Sequence, residues 1–139
     1  MRVEHVFPDI ISTCTCLQKI RDFQEETTTT IHVPYKKQPS FGCREELKLV
    51  RNIEENVLPH HIQLIYSMMP LHVLANAKKT FFRMKYHDIG KKIRFLTNAV
   101  QQIQEHDPFY LTVDDVNESD MLLTDLMWRQ MYYEEMLRV

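Results

Sequence analysis

Glycine is nearly missing from this chain: Gly42 and Gly90 are the only two in 139 residues. Glycine supplies the positive φ angles of tight turns. Its scarcity argues against a many-turned β-sandwich or barrel and against a glycine-rich phosphate loop. Cysteine is sparse too. Cys14, Cys16 and Cys43 make an odd number, which does not suggest a disulfide framework. No apolar run approaches the roughly 20 residues that span a bilayer, so no transmembrane segment is expected. The opening stretch MRVEHVFPDIISTCTC lacks a secretory hydrophobic region, because Glu4, His5 and Asp9 interrupt it. An intracellular protein is the expectation, with nuclear and cytoplasmic residence unresolved. Asn117-Glu118-Ser119 has the form of a glycosylation acceptor, which matters only in a secreted chain.

What is present is helical periodicity. The expected fold class is all-α: a single compact domain over residues 1–139, of about five or six helices. Pro8-Asp9 can open a first helix, since proline tolerates the first turn, and Ile10, Cys14, Leu17 and Ile20 continue it to about 26. Four threonines, Pro34 and Pro39 then break the pattern, which predicts an extended arm or loop over 27–42. A loop this long is uncommon in a compact domain and is often functional. Leu47, Val50 and Ile53 lie on one face of the next helix, with Glu45 and Glu46 in its first turn. Pro59 restarts the chain for about ten residues, and Pro70 ends or kinks that segment. Val73, Leu74, Ala77 and Phe81 mark a further helix, which Asp88 and Gly90 are expected to interrupt. Ile93, Leu96, Val100 and Ile103 form its successor. Thr112-x-x-Asp115 has capping-box spacing, and FYLTV is a weak candidate for a strand paired with TTTIHV. The long last helix is expected from Ser119, a good N-cap.

That last helix, DMLLTDLMWRQMYYEEMLRV, does not confine its apolar residues to one stripe. Leu122, Leu126, Tyr133 and Met136 gather on one side of the wheel. Leu123, Met127, Trp128, Met131 and Tyr132 continue around it. Either the helix is a central core element, or one side faces a partner or a second copy. Tryptophan and tyrosine are common interface anchors, and methionine adapts to varied surfaces. The candidate partner-binding residues are therefore Leu123, Met127, Trp128, Met131 and Tyr132.

Charge is unevenly distributed. Residues 71–100 carry seven Lys/Arg and one acid, whereas residues 101–139 carry two and nine. The basic stretch contains Lys78, Lys79, Arg83, Lys85, Lys91, Lys92 and Arg94, interleaved with Phe81, Phe82, Tyr86 and Phe95. Cations neutralise phosphates and exposed aromatics stack on bases, so nucleic acid is the alternative partner. The competing readings are that Phe81 and Phe95 are core, or that the basic face opposes the acidic C-terminal third. A sequence pI near 6.4 argues against a nucleic-acid domain and weakens an anionic membrane surface as a target too.

Catalytic and metal chemistry find little footing. Cys14, Cys16, Cys43, His5, His32, His60 and His61 lack the paired spacings of structural zinc. From Asp115 the chain reads like the start of a calcium loop. Asp120 and Leu126 then stand where such a loop needs glycine and a bidentate glutamate. No nucleotide, kinase or nucleophile-elbow motif occurs, and no metal or cofactor is implied. The sequence reads as a non-enzymatic helical interaction protein: an adaptor, an assembly subunit, or a viral or regulatory factor. A protein partner or a homodimer is the leading expectation.

Overall fold

A computed structural model describes residues 1–28, 31–32, 44–68 and 71–138; for 44–46, 63 and 71–74 it describes the backbone alone. All regular structure among these residues is helical: α1 (Val3–Val6), α2 (Thr15–Thr27), α3 (Arg44–Asn56), α4 (Pro59–Ser67), α5 (Leu71–His106) and α6 (Val113–Arg138). Most of the expected arm, at 29–30 and 33–42, lies outside the described residues, as does Cys43. So do the side chains of Glu45, Glu46, Val73 and Leu74. Two parts of the arm are described. Thr27 closes α2, and Ile31 is buried at 1% exposure. Thr28 caps α2 at φ 54°, in the left-handed region that glycine usually fills.

The chain divides into two compact units. Unit 1 comprises Met1–Lys36 with Asp88–Gln130, and unit 2 comprises Lys37–His87 with Met131–Val139. In unit 1, α1 packs on α2. Leu17, Ile20, Leu96 and Ile103, expected on apolar stripes, are fully buried, as is Phe95, while Ile93 and Val100 are half-buried. The Phe7 and Phe95 rings meet at 6.1 Å, and Phe23 lies edge-on to Tyr110 at 5.3 Å. In unit 2, α3 packs on α4. Val50, Ile53, Tyr66, Ala77, Phe81 and Phe82 form its core, and Tyr133, Met136 and Leu137 pack against it.

Three expected boundaries are corrected. First, the helix predicted from Pro8 starts at Thr15, because residues 8–13 form turns. The Thr13 hydroxyl and the amides of Thr13 and Cys14 all donate to the Ile10 carbonyl. Such local bonds from hydroxyl side chains compete with helix propagation. Second, no break occurs at Asp88 or Gly90, since α5 runs unbroken through both. Third, α6 begins at Val113 rather than at Ser119, which is 1% exposed within the helix. FYLTV accordingly supplies a turn and this helix start, not a strand.

Gly90 has no positive φ to require glycine. A Cβ there would meet the side-chain nitrogens Gln130 Nε2 at 3.3 Å and Arg94 Nη1 at 3.5 Å. Both are ends of long side chains that can yield. Gly90→Ala is therefore expected to stabilise the protein by about 0.5–1 kcal/mol in urea unfolding. A loss of stability instead would show that Gln130 is held too firmly to move.

Candidate functional site

The start of α6 explains why its remaining surface is free. Thr112 and Asp115 complete a capping box. The Asp115 amide donates to Thr112 Oγ1 at 3.2 Å, and the Thr112 amide donates to Asp115 Oδ2 at 2.9 Å. Lys19 of α2 pairs with the same carboxylate. One turn later, Glu118 Oε1 accepts from the Cys14 thiol at 2.8 Å and from the Cys16 amide at 3.3 Å. Glu118 thus satisfies an otherwise orphaned donor at the start of α2. Asp115, Ser119 and Leu126 are buried. The opposite side of α6 faces solvent.

Four of the five expected partner-binding residues are exposed, two in unit 1 and two in unit 2. Met127 is 55% exposed, Trp128 67%, Met131 55% and Tyr132 53%. Tyr132 also leans on Phe82, with ring centroids 6.5 Å apart. Leu123 sits on the shoulder of the helix, half-buried. Two exposed residues were missing from the expected set, Met121 at 75% and Val113 at 77%. The signal that finds Met121 is its seven-residue spacing to Trp128, two turns along one face.

The basic segment is arranged differently. Phe81, Phe82 and Phe95 are buried at 4%, 3% and 0% exposure, so none can stack on a base. Lys78 lies over the Tyr66 ring at 4.3 Å. Lys85 pairs with Glu55 at 3.4 Å, and Lys92 with Asp88 at 3.3 Å. These acids lie in α3 and α5. Arg94 is half-buried, and its Nε has no hydrogen-bond partner among the described residues. Lys79 and Arg83 are exposed, and Lys91 is half-exposed. Of the aromatics in this segment, Tyr86 alone is not buried.

The described thiols are poorly disposed to react. Burial, then the neighbouring Cys14, Asp115 and Glu118, push the Cys16 thiol up to about 12. Burial and the Glu118 hydrogen bond raise Cys14 as well. Both stay protonated at neutral pH, and the thiolate is the nucleophile. Among the described residues, no three of His, Cys, Asp or Glu gather as a metal-ion holder. No described helix is long and apolar enough to cross a membrane. No protein-family model, curated protein or solved structure matches the chain.

Proposed function

We propose that the protein is a non-enzymatic helical interaction protein, acting as an adaptor, assembly subunit or regulatory factor through α6. The observation that carries this reading is Trp128, two-thirds exposed on a helix whose neighbouring Met121 and Met127 are exposed with it. Large apolar side chains clustered in water favour association, because covering them releases hydration water. Tryptophan is among the residues that most often dominate binding energy. The expected mode is a helix laid along α6. The basic segment is the weaker reading, since its phenylalanines are committed to the core.

The test is a double substitution, Trp128→Ala with Met131→Ala, in protein carrying a photo-crosslinker at exposed Thr124. Exposed side chains change stability by about 0.5 kcal/mol or less, so the melting temperature should hold. The crosslinked adducts formed in cell extract should disappear. Lowered stability with unchanged adducts would sink the reading, since these residues would then serve the fold alone.

A further inference from the structure

The exposed face of α6 between Val113 and Arg129 mixes two chemistries in a regular way. Val113, Asp120 and Met127 follow one another at seven-residue intervals, and so do Asp114, Met121 and Trp128 beside them. Each interval is about 10 Å along the axis. All six side chains are exposed. The segment carries five carboxylates against one arginine. Asp115 and Glu118 are engaged by α2, and Asp125 pairs with Arg129 at 3.1 Å. Asp114 and Asp120 make no ion pair among the described residues.

A ligand that covers the apolar side chains must therefore also meet two free carboxylates. A second α6 fits less well, because it presents the same net negative segment, and like-charged surfaces repel. The exposed cationic positions of α5 do not fit. Lys79 and Arg83 supply charge there, and the exposed Ala75, Asn76 and His87 beside them add no large apolar ridge. The fitting occupant brings both chemistries on one helix. We propose that this face docks a cationic amphipathic helix of another protein. Leucine, isoleucine or phenylalanine of that helix would pack on Met121, Met127 and Trp128, and its lysines or arginines would face Asp114 and Asp120. This deepens the reading of α6 as an interaction surface and rests on it.

Trp128 is the only tryptophan and lies inside the proposed footprint. Its emission therefore reports occupancy directly. The probes are three synthetic helices of about 18 residues, or five turns. They share one Leu/Phe face and differ only in flanking lysine, glutamine or glutamate. Each is titrated into the full chain at low and high salt, with light scattering recorded alongside. The lysine helix should shift Trp128 emission to the blue and shield it from acrylamide. It should bind about tenfold tighter than the glutamine helix at low salt, with the gap closing at high salt. Asp114→Asn with Asp120→Asn should remove about fivefold of that preference, as expected of two exposed pairs. Equal binding of the lysine and glutamine helices would overturn the charge inference and leave the interaction surface standing. No binding by any helix would overturn both. A dimer that Trp128→Ala dissolves would make a second copy the occupant and overturn the inference.

Discussion

Phe95→Ala is expected to destabilise the protein by about 4 kcal/mol, the range for a phenylalanine removed from a closed core. For a chain of this size that lowers the melting temperature by about 14 °C. Phe95 has no exposed surface, and its ring meets Phe7 at 6.1 Å in a tilted pair. Alanine would remove the ring's transfer free energy, leave a void, and delete the aromatic pairing that helps seat the chain after α1. The measurement also decides a functional question. Phe95 follows Arg94 in the basic segment, where an exposed ring would be a base-stacking platform. A stacking ring costs little stability when removed and much affinity. A large drop in melting temperature places Phe95 in the core, whereas an unchanged one with weakened single-strand binding would restore the nucleic-acid reading.

Phe95 also illustrates what local sequence shows. The expected stripe beside it is Ile93, Leu96, Val100 and Ile103; Leu96 and Ile103 are buried, Ile93 and Val100 are half-buried, and Phe95 itself lies deeper than the stripe suggests. The all-α class was legible from such stripes, helped by the scarcity of glycine. Boundaries were less legible because several positions carry competing signals. Pro8 has the chemistry of a helix start, but the hydroxyl and amide of Thr13 turn back to Ile10. Gly90 has the chemistry of a helix stop, yet it lies within an unbroken helix beside Gln130 and Arg94. Ser119 and Thr112 are both good caps, and Thr112 prevails because Asp115 returns its bond while Lys19 secures the carboxylate. On α6, composition could not tell which apolar residues are covered. The long-range contacts do so: Leu126 is buried, and Tyr133 and Met136 join the unit 2 core. Met127 and Trp128, of equal hydrophobic character, are left in water.

The acid that anchors α6 should show the second large effect. Asp115→Ala is expected to cost about 3 kcal/mol. The capping box accounts for about 1 kcal/mol. The rest follows from stranding Lys19, at less than the full cost of breaking a buried pair, because Lys19 keeps 33% of its side chain in water. Asp115→Asn, which retains an acceptor for Thr112, should cost less and isolates the role of charge. Burial by itself would raise the Asp115 carboxyl. The hydrogen bonds from Lys19 and Thr112 outweigh it and hold the group below its ordinary value of 3.8. A carboxylate with a depressed folded value contributes stability that is fully present above its ordinary value and is lost as pH falls through the folded one. The gap in melting temperature between wild type and Asp115→Asn should therefore stay constant from neutral pH to about 5 and narrow below about 4. A gap that persists unchanged into strong acid would mean that Asp115 holds the two helices by shape and neutral hydrogen bonds, and that its pairing with Lys19 adds nothing to the fold.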